Sequence, residues 1–178
     1  PANIYALTKL CAEDVADYYR RQRGLDIVIL RPFTHIGPGQ RPTFVTADFS
    51  LQIALIEAGR KPPVIKVGNL DPRRDFTDVR DMVRAYRLAA EAGRSGQAYN
   101  IASGRAPSIR DVLELLLSLS EAEIEVRPVP ERMRESEIPV YRGDHSLFTR
   151  DTGWEPEYPL QDTLRIVLDY WRRRIRRR

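Results

Sequence analysis

Leu25-Asp26-Ile27-Val28-Ile29-Leu30-Arg31-Pro32 is the stretch on which the fold class turns. Its centre, Asp26 to Leu30, carries in Ile27-Val28-Ile29-Leu30 a short continuous apolar run rather than an alternating one. Such a run marks a strand buried on both faces of a parallel sheet. Upstream, Asn3 to Arg23 reads as a helix, with Leu7, Cys11, Val15 and Tyr18 on one apolar stripe and Gly24 as its stop. Cys11 on that stripe is expected in the core. A helix followed by a buried strand belongs to the α/β class.

Downstream, Arg31 to Pro42 is rich in Pro and Gly and reads as a loop. Phe44 to Ala58 predicts a second helix, and Val64 to Val67 a strand ended by Gly68. Asp78, with Asp81 three residues on, resembles a capping arrangement for a helix running to about Ala92. Ala98 to Ala102 predicts another strand. Ser108 caps a leucine-rich helix through Leu119, Glu123 to Val129 predicts a strand, and a long final helix begins near Pro159. Trp154 and Trp171 are expected as packing anchors, and His145 as a surface or capping residue.

The 178 residues, 42% of them apolar, suffice for a buried core. No apolar run approaches the ~20 residues of a membrane-spanning helix, so no membrane partner is expected. The net charge of +4 is a local feature, because six arginines fall within residues 172–178; without those six charges the rest stands at −2. Diffuse binding of nucleic acid is therefore disfavoured. A single cysteine makes no internal disulfide, which fits a reducing cytoplasm. Two histidines and one cysteine offer no metal-ligand spacing. The abrupt start at Pro1, already close to a helix, suggests a fragment of a longer chain.

Chemistry begins with Tyr5 and Lys9, four apart on a helix and so on one face. An ammonium one turn away favours the phenolate over the phenol, making the tyrosine a better proton carrier. Arg73 and Arg74 are adjacent forked donors suited to phosphate oxygens, and the residues themselves do not choose between them.

Five stretches then follow one another in a telling order. They are Tyr5-Ala6-Leu7-Thr8-Lys9; Leu30-Arg31-Pro32-Phe33-Thr34-His35-Ile36-Gly37-Pro38-Gly39-Gln40; Val67-Gly68-Asn69-Leu70-Asp71-Pro72-Arg73-Arg74-Asp75-Phe76-Thr77-Asp78; Tyr99-Asn100-Ile101-Ala102-Ser103-Gly104; and Thr152-Gly153-Trp154-Glu155-Pro156. The series resembles the extended short-chain dehydrogenase/reductases (the NAD-dependent epimerase/dehydratase family). Within them it is most similar to the branch of reductases acting on GDP-4-keto-6-deoxy-mannose.

The resemblance implies the C-terminal part of a Rossmann-type doubly wound sheet plus a small α/β substrate-binding lobe. Residues 1–42 would end the dinucleotide-binding domain, 43–171 would form the substrate lobe with interleaved returning strands, and 172–178 a basic tail. It implies Tyr5 as catalytic acid/base and Lys9 as its tuner and as a ligand of the nicotinamide ribose. Pro32, Phe33 and His35 would lie at the cofactor, which is NADP or NAD. Thr34, standing where relatives usually carry Asn, would contact the sugar nucleotide together with Arg74 and Arg134. The substrate implied is a nucleotide sugar, GDP-linked, whose C4 ketone is reduced at the expense of NADPH.

Sister chemistries are 4,6-dehydration and 4-epimerisation; a non-catalytic sugar-nucleotide-binding module is the alternative outside catalysis. The parent is expected to be a homodimer. No glycine-rich strand-turn-helix for a dinucleotide pyrophosphate occurs here, so this chain alone is expected to be inert and prone to aggregate.

Overall fold

The computed structural model describes residues 1, 3–133 and 138–177. Helix α1 (Ile4–Arg23) is capped at its start by the Asn3 side chain, which accepts the Ala6 N–H at 2.9 Å, and stopped by Gly24 at φ 64°. The following strands and helices come in chain order: β1 (Ile29–Pro32), β2 (Thr34–Ile36), α2 (Val45–Glu57), β3 (Val64–Val67), β4 (Arg73–Arg74), β5 (Phe76–Asp78) and α3 (Val79–Ala92). After them come β6 (Ala98–Ile101), α4 (Ile109–Leu117), β7 (Glu125–Pro128), a short 3-10 turn (Pro130–Arg132), β8 (Val140–Tyr141), α5 (Ser146–Thr152) and α6 (Leu160–Arg176).

The strands form four parallel pairs, β1 with β6, β2 with β5, β3 with β7 and β4 with β8. Parallel pairing needs long crossovers, and helices supply them. Two apolar clusters sit between the layers. One joins α2, α4 and α6 to β3, with Ile36 and Phe76 among its members. The other joins α3, α5 and β6 around Tyr99, Phe148 and Trp154. Trp154 is fully buried and its indole N–H donates to the Asp81 carbonyl at 3.1 Å, and Trp171 is also buried. Both tryptophans are packing anchors, as the sequence suggests.

Several expectations are corrected. The strand begins at Ile29 rather than Asp26, because pairing starts where the Ile29 N–H reaches the Gln97 carbonyl. It is half-buried rather than buried on both faces, with β6 as its strand neighbour among the described residues. Residues 34–36 are a strand, not loop, since β5 supplies a ladder that local propensity does not reveal. Cys11 is exposed, and α1 buries none of its residues: no described element covers its apolar stripe. Asp78 caps α3 by accepting the Arg80 N–H at 2.7 Å, but Asp81 is no reciprocal partner. Its carboxylate instead accepts the Glu157 and Tyr158 N–H groups, each at 3.1 Å. The full capping box lies at α4, where Ser108 and Asp111 bond each other's backbone N–H. The Ser108 N–H, assisted by its hydroxyl, holds the Asp111 carboxyl below its ordinary value.

The basic stretch at 172–178 also differs from a loose tail. Helix α6 runs through Arg176 with Ile175 buried, so the apolar period continues between the arginines. Arg172 donates to Glu57, Asp169 and the Leu119 carbonyl, which locks the last turns onto α2 and the end of α4.

Candidate active site and nucleotide cavity

The pleat of β2 sets the site. Successive side chains alternate in direction, so Thr34 and buried Ile36 face one side while exposed His35 faces the other. On the Thr34 side opens a cavity of about 840 Å³. Its wall carries Thr34, Asp48, Asn69, Arg74, Glu131 and Arg132 as polar groups, with Phe49, Leu70 and Phe76 among the apolar ones. Thr34 and Phe76 are register partners across β2 and β5, and Arg74 lies two residues earlier in β4. The two predicted substrate residues of the strand region, Thr34 and Arg74, therefore line one space.

Arg73 and Arg74 are separated by the same alternation. Arg73 turns its Nε to the Ala106 carbonyl at 2.9 Å, away from the cavity wall. Arg74 donates to the Arg73 carbonyl at 2.8 Å and contributes to the wall. Behind it, fully buried Asp75 accepts Ser103 N–H and hydroxyl at 2.7 Å each, Gly104 N–H at 2.9 Å and Gly143 N–H at 3.2 Å. One carboxylate thus ties three segments together behind Arg74. Gly143 is needed there for close approach: a Cβ would collide with the Ala102 methyl and lie 3.0 Å from the Phe33 ring.

Tyr5 and Lys9 stand apart from the cavity wall. Both are exposed on α1, with the Lys9 ammonium 5.4 Å from the centroid of the Tyr5 ring. Arg31 of β1 bonds Glu13 of α1 through Nε at 2.7 Å and through Nη2, fixing the helix to the strand. Pro32 ends β1 exposed. Half-buried Phe33 stacks on Tyr141, ring centroids 4.7 Å apart and 25° between planes. The His35 ring nitrogen Nδ1 lies 3.4 Å from the Phe33 carbonyl. Arg134 lies outside the described residues. His145 is the residue before α5; its side chain makes no capping bond and packs edge-on to Trp154 instead.

The sequence reading missed Asp48 and Arg132. They are 84 positions apart, and an ion pair joins them across the cavity wall. Gly68 was a visible signal for this contact: a Cβ there would strike the Arg132 carbonyl, so a glycine lets the 3-10 turn seat on the end of β3. Among the described residues no group of three or more His, Cys, Asp or Glu could hold a metal ion, and no helix is long and apolar enough to cross a membrane.

A family model described as GDP-mannose 4,6 dehydratase matches residues 1–167. The chain belongs to this family. Its fold is the α/β Rossmann-like fold of the family's epimerases and reductases. It is 39% identical over 176 residues to the GDP-6-deoxy-D-mannose reductase of Pseudomonas aeruginosa, covering 99% of this chain and 58% of that protein. It is 29% identical to the GDP-6-deoxy-D-talose 4-dehydrogenase of Aggregatibacter actinomycetemcomitans, covering 98% of this chain and 56% of that one. Among solved structures, that of RMD from Pseudomonas aeruginosa complexed with NADPH superposes with a TM-score of 0.93 at 37% identity, over 98% of this chain and 58% of the other. UDP-glucose 4-epimerase of Thermotoga maritima gives 0.81 at 27%, over 96% and 54%. The chain thus spans little more than half the length of these family members.

Proposed function

We propose that this chain supplies the proton-transfer residues and the sugar-nucleotide cavity of a reductase acting on the C4 ketone of a GDP-4-keto-6-deoxyhexose, with NADPH as reductant. The observation that carries the reading is the 0.93 superposition on an NADPH-bound family member, joined to a cavity in which Thr34 and Arg74 meet.

The residues present fit a nicotinamide cofactor. An ammonium and a phenol on one open helix face suit ribose hydroxyls as donor and acceptor, and Pro32 ends a parallel strand with Phe33 just after it, where such sheets bind ligands. When bound, the cofactor supplies a hydride to the carbonyl carbon. Tyr5 holds the proton at Oη and delivers it to the oxygen that becomes the C4 hydroxyl. Lys9 steadies the phenolate left behind. Arg74 neutralises the diphosphate as a forked donor, and Thr34 offers a hydroxyl to the sugar. His35, on the opposite face of β2 from Thr34, belongs to the cofactor side.

The test is NADPH oxidation with the keto-sugar nucleotide by the full-length protein carrying this chain. Tyr5→Phe is expected to lower kcat by about a hundred- to ten-thousand-fold. Equal turnover by the two proteins would overturn the assignment. The description of the matching family model favours one second reading, GDP-sugar 4,6-dehydration. Formation of the keto sugar from GDP-mannose, with no net consumption of cofactor, would decide for it.

We also infer a homodimer and a cytoplasmic setting. The first is supported by the uncovered apolar side chains of α1, including Ile4, Leu7, Leu10 and Val15. The second is supported by the unpaired, exposed thiol of Cys11. Light scattering on the full-length protein tests the dimer, and a monomeric mass would count against it.

A further inference from the structure

We infer that the Asp48–Arg132 pair reads the nucleotide base and selects guanine. This rests on the sugar-nucleotide reading above and adds what that reading leaves open, the origin of base preference.

The cavity wall carries charge of both signs. Arg74 faces it from β4, and Asp48, Glu131 and Arg132 face it from α2 and the 3-10 turn. A carboxylate repels phosphate, so Asp48 is a poor neighbour for a diphosphate. Arg74 therefore marks the phosphate end and Asp48 the nucleoside end.

Asp48 is held firmly in place. Its Oδ2 accepts the Gln52 amide at 2.9 Å and the Arg132 guanidinium. Gln52 is only 4% exposed. It is itself pinned by the Lys66 backbone, donating to its carbonyl at 3.2 Å and accepting its N–H at 3.1 Å, and by the Lys61 ammonium at 2.6 Å. Arg132 is fixed at its backbone as well, through the Gly68 contact and the hydrogen bond from Val129 N–H to the Val67 carbonyl. The other carboxylate oxygen, Oδ1, has among the described residues only a 3.5 Å approach from Arg132. Both side chains keep access to solvent, 18% for Asp48 and 41% for Arg132.

An anchored acceptor thus sits beside an anchored cationic donor. Guanine presents the complementary edge: the O6 acceptor next to the N1–H and N2–H donors. Arg132 donates to O6 through an N–H not used on Asp48, while the open oxygen of Asp48, Oδ1, accepts from the two nitrogens. Uracil offers one N–H between two carbonyl oxygens, one of which would face the carboxylate lone pairs.

Titration calorimetry of the full-length protein carrying this chain with GDP, IDP and UDP tests the assignment. IDP lacks the N2 amino group and is expected to bind about tenfold more weakly than GDP, with UDP weaker still. Asp48→Asn is expected to narrow the GDP-to-UDP preference by about tenfold. Equal binding of GDP and IDP, or an Asp48→Asn effect shared equally by GDP and UDP, would overturn the base reader. If Arg74→Ala then still weakens all three ligands, the sugar-nucleotide reading stands without it. Failure of the unaltered full-length protein to bind any of the three would overturn both. The GDP and IDP comparison needs no variant, so a misfolded Asp48→Asn protein does not remove the test.

Discussion

Arg31, near the end of β1, grips Glu13 in the middle of α1 through two guanidinium nitrogens. The pair fixes how the helix bearing Tyr5 and Lys9 sits on the strand that ends at Pro32. The hydrogen bond from the Arg31 guanidinium holds the Glu13 carboxyl below its ordinary value of 4.5, against the opposing effect of burial. Because the folded value is depressed, the contribution is complete above the ordinary value and is lost as the pH falls through the depressed one. Glu13→Gln is expected to reduce hydrogen-exchange protection in α1 at neutral pH by about 0.5–1 kcal/mol, the range for a partly exposed pair. The difference from the unaltered chain should vanish in acid. Unchanged protection at neutral pH would mean that α1 is held by other contacts.

Asp75 is the residue whose loss should be felt most in the cavity region. It is fully buried and accepts four hydrogen bonds, three from backbone N–H groups. Asp75→Asn places an amide N–H₂ against those donors, with an expected cost of about 2–4 kcal/mol. The urea midpoint measures it, and a change below about 0.5 kcal/mol would contradict the hub assignment.

At the other end of the chain, Arg172 and Glu57 couple α6 to α2. The hydrogen bond from Arg172 draws the Glu57 carboxyl below its ordinary value against the opposing effect of burial. Stability from this pair is therefore present above pH 4.5 and declines as the pH falls through the depressed value. Removing residues 172–178 takes away Arg172 and buried Ile175 together. The expected loss is about 2–4 kcal/mol, or roughly 5–15 °C in Tm. Arg177→Ala, at an exposed position, should stay within about 0.5 kcal/mol of the parent. Calorimetric melting of the two variants separates a structural helix end from a loose tail.

Gly68→Ala tests the seat of the 3-10 turn. The added methyl would meet the Arg132 carbonyl, a backbone group with no rotamer to escape by. An expected 1–3 kcal/mol is lost, on the scale of overpacking, and GDP affinity falls because the Arg132 side chain moves with its backbone. A fully stable variant with unchanged affinity would show that the turn can shift freely.

Much of the fold could be read from order and period. Gly24 stops α1, Ser108 announces α4, and Val64 to Val67 is the strand its composition predicts. These are short-range effects, in which a cap or a β-branched run acts within a few residues of itself. The family was legible for a related reason: the five ordered stretches around Tyr5, Phe33, Arg74, Tyr99 and Trp154 are local signatures.

What the sequence by itself determined was therefore the α/β class, the approximate limits of α1 to α4 and the start of α6 though not α5, and Tyr5, Lys9, Thr34 and Arg74 as candidates. Tertiary structure alone decided which of them share a space. The pleat of β2 sends Thr34 to the cavity and His35 away from it, once pairing with β5 makes residues 34–36 a strand. Cys11 fell outside the core because periodicity shows that a helix has an apolar face but not whether anything covers it. Asp48 and Arg132 meet across 84 residues because β3 and β7 pair and Gly68 lets the turn close over them. Such a contact depends on the packing of three separate elements; Gly68 marks a close approach in the sequence but not the partner that makes it.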